Sequence, residues 1–150
     1  MSHIVDNDIL IPEIRAILLE GRDVRFTPSG VSMRPFIEGG KDAVILRHMP
    51  SVRVGDICLC DLGTRYVLHR VIAVTPDPSS LTAHPSLITL QGDGILLATE
   101  QCLASDVIGT VIRIENPRGR RKPLTRGRLW FYLRPLRRYL LKIYRHVIKL

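Results

Sequence analysis

Between Asp23 and Glu115 the apolar residues come in short aliphatic runs, cut every few residues by glycine, proline or charged groups. A helix needs ten or more residues with a 3.6 period, whereas runs of this length and spacing suit strands. Strands are expected at Asp23–Thr27, Ala43–Arg47, Asp56–Asp61, Tyr66–Val74, Leu87–Gln91 and Val107–Glu115. Turn formers separate them at Gly39-Gly40, at Pro50 and along Pro76–Pro85, the last reading as a long loop. The pattern predicts a mainly β body over residues 23–117.

Two helices flank it. Residues 1–22 hold the first, Asp6–Glu20, with Asp6 or Asp8 as cap, Pro12 near its first turns and Gly21 as its stop. Ile11, Ile14, Ala16, Ile17 and Leu18 give it a broad apolar face. Residues 118–150 read as a basic linker followed by an amphipathic helix from about Thr125. Its apolar residues Leu129, Leu133, Leu136, Leu140, Ile143, Val147 and Leu150 recur at steps of four and three. Pro135 is expected to kink this helix or split it.

Charge divides at the same boundary. The net charge is +8, from 22 basic and 14 acidic residues, but 12 of the basic residues follow Pro117 and no acid does. The body therefore carries −4 and the tail +12. A basic helix with Trp130, Phe131, Tyr132, Tyr139 and Tyr144 among its arginines suits an anionic membrane surface, reached through residues 126–150. Docking on the acidic body is the competing expectation. No nucleic-acid motif is present, so nucleic acid is an unlikely partner. No segment has the roughly 18 uninterrupted apolar residues of a membrane-spanning helix. The first residues lack the basic start and apolar run of a secretory signal. A cytoplasmic chain, peripheral at the inner membrane face, is the expectation.

Three polar clusters interrupt the strand-like sequence. Pro28-Ser29-Gly30-Val31-Ser32-Met33-Arg34-Pro35 sets Ser32 where a tight turn can present its hydroxyl. Val67-Leu68-His69-Arg70-Val71-Ile72 places a histidine in an apolar strand. Gln91-Gly92-Asp93-Gly94 is followed by Thr99-Glu100. A serine needs a base to act as a nucleophile near neutral pH, and imidazole is a suitable one. An acid behind the imidazole fixes its tautomer. Composition alone leaves these groups unpaired, and a turn serine or a core histidine is the ordinary reading of each.

Ser29-Gly30-Val31-Ser32-Met33-Arg34-Pro35 resembles the Ser-Gly-x-Ser-Met-x-Pro box of type I signal peptidases and the related self-cleaving LexA-type repressors. The later segments follow in that clan's order. Val54-Gly55-Asp56-Ile57 resembles its Gly-Asp strand and His69-Arg70-Val71-Ile72 the His-Arg-Val-Ile box of the archaeal and endoplasmic-reticulum type. Gly92-Asp93 resembles its Gly-Asp box and Val107-Ile108-Gly109-Thr110-Val111 its closing strand. The resemblance covers residues 28–112 and implies a serine peptidase with a coiled antiparallel signal-peptidase/LexA-like β fold. It assigns Ser32 as nucleophile and His69 as general base, where bacterial signal peptidases have lysine. The Ser32 backbone N–H is the first candidate for the oxyanion site and the Ser29 hydroxyl the second. Gly30 shapes the turn, and Met33 packs beneath the nucleophile.

The endoplasmic-reticulum type has a further aspartate shortly after the Gly-Asp box, and this chain has none there. Glu100 is nearest in position and can do the same job. Asp93 is the alternative, with turn formation as its competing role. Arg70 is expected on the opposite side of the strand from His69, in a surface salt bridge. The segment before Ser29 is a short helix, in place of the membrane anchor of signal peptidases or the helix-turn-helix domain of LexA-type repressors. The other histidines and the cysteines Cys58, Cys60 and Cys102 lack metal-ligand spacing, so no metal or cofactor is expected and the thiols read as buried and free. The expected function is endopeptidase cleavage of a polypeptide precursor. The alternative is a non-catalytic module that binds a peptide or partner and is recruited by its tail.

Overall fold

The computed structural model describes residues 7–76, 86–125 and 127–149. Eight strands form one antiparallel sheet: β1 (Val24–Phe26), β2 (Ala43–Arg47), β3 (Ile57–Asp61), β4 (Tyr66–Pro76), β5 (Ser86–Gln91), β6 (Glu100–Leu103), β7 (Val107–Glu115) and β8 (Arg121–Lys122). Their order is β1-β2-β7-β3-β4-β5-β6, with β8 on β7. Consecutive strands from β3 to β6 are neighbours, while the long β7 returns to lie between β2 and β3. Helix α1 (Asn7–Leu19) precedes the sheet, and α2 (Arg128–Tyr132) and α3 (Arg137–Ile148) follow it.

The apolar runs are continuous rather than alternating because the central strands are covered on both faces. Ile57 and Leu59 of β3 point into one core, with Ile11, Ile14 and Leu18 of α1, Met33, Ile37 and Leu68. Cys58 and Cys60 point into a second core, with Val67, Val71, Ile88, Leu90 and Cys102. A single sheet can serve two cores because alternate residues of its central strands leave opposite faces. Its ladder shifts register at Ile45/Leu46, Leu59/Cys60 and Val71/Ala73, and such irregularities increase twist and bend a strand. Each large aliphatic side chain buried this way contributes roughly 1.5–3 kcal/mol. The three thiols are buried and free.

Several details differ from the sequence expectation. β6 and β8 are additional strands, short and polar enough to show no period. Ala16 of α1 is exposed and Ile17 half-buried, while Ile11, Ile14 and Leu18 are buried. Asp8, one of the two expected caps, lies inside α1 instead of before it, while Asp6, the other, and residues 77–85 of the expected long loop lie outside the described residues.

The tail differs most. Its basic linker supplies β8, where Lys122 Nζ reaches Asp42 Oδ2 at 2.6 Å. Pro135 does split the helix, through a 3-10 turn at Arg134–Leu136. The predicted apolar seam, however, is not the face that packs. Leu129, Leu136, Ile143 and Val147 are all more than half exposed, while Trp130, Arg137 and Leu141 are buried. The tail docks on the body through a mixed face held by hydrogen bonds, which apolar periodicity does not register.

Candidate active site

Residues 30–36 form a run of tight turns rather than a strand. Gly30 sits at φ +86°, a left-handed conformation that side chains disfavour, and this lets the chain reverse just before Ser32. The Met33 carbonyl accepts hydrogen bonds from both the Phe36 and Ile37 N–H groups at 3.0 Å, and the buried Met33 and Ile37 side chains anchor the turn in the core. The Ser32 carbonyl accepts the Gly94 N–H at 2.8 Å. A Cβ at Gly92 would stand 2.5 Å from that same carbonyl, so the Gly92-Asp93-Gly94 turn meets the serine turn backbone to backbone. Both glycines of the Gly-Asp-Gly segment are thereby explained by close approach. Among the described residues the Ser32 N–H donates to no backbone carbonyl, which leaves it available for an oxyanion.

Ser32 and His69 line the same cleft, of about 210 Å³, with Ser29, Gly30, Met33 and Ile95. His69 lies on β4 opposite Cys58 of β3 and is 3% exposed. Its Nδ1 lies 2.9 Å from Glu100 Oε2. An ionised carboxylate can only accept, so this contact places the proton on Nδ1 and leaves Nε2 as the basic atom. Arg65 Nη2 donates to the other Glu100 oxygen at 2.9 Å, so both carboxylate oxygens have a partner. Glu100 opens β6, two strands away from β4, so only the pairing of β4, β5 and β6 brings acid and imidazole together.

Asp93 does not face His69. Its carboxylate takes a bidentate pair from Arg70 Nε and Nη2, both at 2.8 Å, with side-chain exposures of 6% for Arg70 and 2% for Asp93. Arg70 follows His69 on the strand and its side chain leaves the opposite face, as expected, but the salt bridge is buried rather than at the surface. Two further bonds, from Arg70 Nη1 to the Gly55 and Thr125 carbonyls at 2.8 Å, complete its fork. The Asp93 carbonyl in turn accepts the Trp130 indole N–H at 2.8 Å.

The tail thus docks on the body, the competing expectation from the sequence, and does so on the segments that carry the site, which that expectation did not specify. Trp130 holds the Gly-Asp turn and stacks edge-on against Phe36 of the serine turn at 5.7 Å. Arg137 Nη1 donates to Gln91 Oε1. Tyr144 donates its hydroxyl to Glu38, which also forms a bidentate pair with Arg34. That pairing holds the Glu38 carboxyl below its ordinary pKa, and burial, with the Glu38 contact, raises that of Tyr144. Single aromatics among arginines were the one visible signal of these contacts. Among the described residues no cluster of three potential metal ligands occurs.

No family model matches the chain, and neither a curated protein nor a solved structure does.

Proposed function

We propose that this chain is a serine endopeptidase of signal-peptidase-like type, built on a fold of that clan, in which Ser32, His69 and Glu100 form the catalytic triad. The observation that carries the reading is that Ser32 and His69 line one cleft while Glu100 holds Nδ1 of the imidazole. In the proposed reaction Ser32 Oγ attacks a peptide carbonyl as His69 Nε2 takes its proton. The imidazolium, stabilised by Glu100, returns that proton to the leaving amine, and water then hydrolyses the acyl-enzyme by the same route. The Ser32 N–H is the candidate oxyanion donor, with the Ser29 hydroxyl beside the cleft. Val31 and Leu97, 55% and 90% exposed, supply apolar surface on the serine turn and on the loop after Gly94 for an extended polypeptide.

The outer face of the tail supports a location for this activity. Leu129, Phe131, Leu136, Ile143 and Val147 are exposed along α2, the 3-10 turn and α3, among Arg128, Arg134, Arg138, Lys142 and Arg145. This is the composition of a helix lying on an anionic bilayer, peripheral at the inner membrane face. Among the described residues no helix is long and apolar enough to cross a membrane.

The test is covalent. A fluorophosphonate probe followed by peptide mass spectrometry is expected to modify Ser32, with no adduct in Ser32→Ala and a strongly reduced yield in His69→Ala. A folded protein that leaves Ser32 unmodified would refute the peptidase reading and favour a non-catalytic module that binds a peptide or partner.

A further inference from the structure

On the Arg70 side of β4 lies a second, open cavity of about 370 Å³, bordered by the tail and lined by Arg70, Arg128, Arg137, Gln91, Phe131 and Tyr132. Its charge is unbalanced. Asp93 also borders it, but both Asp93 oxygens are taken by Arg70. Among the described residues no carboxylate pairs with Arg128 or Arg137. Arg137 is 4% exposed, yet its described partners are neutral: the Trp130 carbonyl at 3.1 Å and the Gln91 amide oxygen at 3.3 Å. A guanidinium has five N–H donors, and these two bonds leave several of them without a described protein acceptor. Burial depresses the Arg137 pKa below its usual value, against the attraction of Asp93, a carboxylate it shares with Arg70. Buried cations are ordinarily paired, so this one is short of an anion.

We propose that this cavity is a phosphate-ester site, in which Arg137 from the wall and Arg128 from the rim bind the phosphoryl oxygens. Planar guanidinium forks match phosphate geometry, and the volume is of ligand-binding size. Phe131 and Tyr132, 45% and 79% exposed, border the same cavity and continue into the exposed apolar face of the tail. An ester carrying an apolar group therefore has surface on which to lie. Two sources share this chemistry: the headgroup of an anionic lipid and a free phosphate monoester. The proposal deepens the membrane reading and is independent of the Ser32/His69 chemistry.

Trp130, the single tryptophan, has the Arg137 guanidinium 5.5 Å from its ring centroid and so reports on the cavity by fluorescence. The protein is titrated with glycerol phosphate, and separately with phosphatidylcholine vesicles containing or lacking phosphatidylglycerol. A saturable response to glycerol phosphate identifies a free ester as ligand; a response only to phosphatidylglycerol vesicles identifies the lipid. Either is expected to weaken about tenfold or more in Arg128→Glu and in Arg137→Gln. Arg145→Glu makes the same charge change on α3 and is expected to weaken it far less. Arg128 is exposed, so its variant keeps the test valid if Arg137→Gln fails to fold by circular dichroism. No response to either ligand overturns the site, as does equal weakening by Arg145→Glu or undiminished binding by folded Arg137→Gln. Vesicle binding that ignores Arg128 would refute the site but keep the membrane reading. Glycerol phosphate binding without vesicle binding would do the reverse.

Discussion

Asp93→Ala is expected to cost about 3–5 kcal/mol of folding stability, because it strands the Arg70 charge in a nearly dry site. The pair has two 2.8 Å hydrogen bonds, and Arg70 is 5% exposed, so little solvent replaces the missing carboxylate. Arg70 keeps its bonds to the Gly55 and Thr125 carbonyls, which hold the guanidinium in place instead of letting it swing to water. For a chain of this length the loss corresponds to a fall in Tm of roughly 6–20 °C. Urea denaturation followed by circular dichroism measures the cost directly. Arg70→Met removes the other charge, and the double variant is expected to be more stable than the sum of the singles by about 2–3 kcal/mol. A cost under about 1 kcal/mol for Asp93→Ala, or additive singles, would refute a buried structural role for the pair. At a temperature where it remains folded, Asp93→Ala should also keep more Ser32 labelling than a Glu100 variant.

Glu100→Gln is expected to slow fluorophosphonate labelling of Ser32 by about 10²-fold or more, since a neutral amide neither fixes the imidazole tautomer nor stabilises imidazolium. Its Tm should change little, and a Tm loss without a rate loss would count against the triad. The depressed pKa of Glu38 makes its contribution present above the unfolded carboxyl value of 4.5 and lost as pH falls through the folded one. Wild type should therefore lose stability faster than Glu38→Gln on the acid limb; parallel curves in acid denaturation would exclude the Arg34–Glu38–Tyr144 linkage. Burial pushes the Cys58 thiol up to about 12, so at pH 8 iodoacetamide should leave it unmodified in the native protein and alkylate it in urea. Rapid native alkylation of Cys58 would contradict the second core.

Local chemistry was legible in the chain alone. The aliphatic runs gave six of the eight strands, because pleat, propensity and turn formers act over a few residues. The serine turn was readable for the same reason: Gly30 permits the positive φ that it takes, and Pro35 fixes the exit. The split at Pro135 followed from a missing N–H. What the sequence left open were choices between distant groups of equal chemistry. Glu100 and Asp93 are both acids after the same strand, and only the pairing of β4, β5 and β6 puts one behind His69 and the other against Arg70. The tail shows the same limit from the other side. Its period gave a clean seam of leucines, but the face that docks is Trp130, Arg137 and Leu141, selected by partners on the serine turn and the Gly-Asp turn. A helix's own pattern records which residues are apolar. Whether that stripe meets the body or is left exposed depends on hydrogen-bonding groups brought from elsewhere in the chain, and those exist as a surface only once the strands have paired.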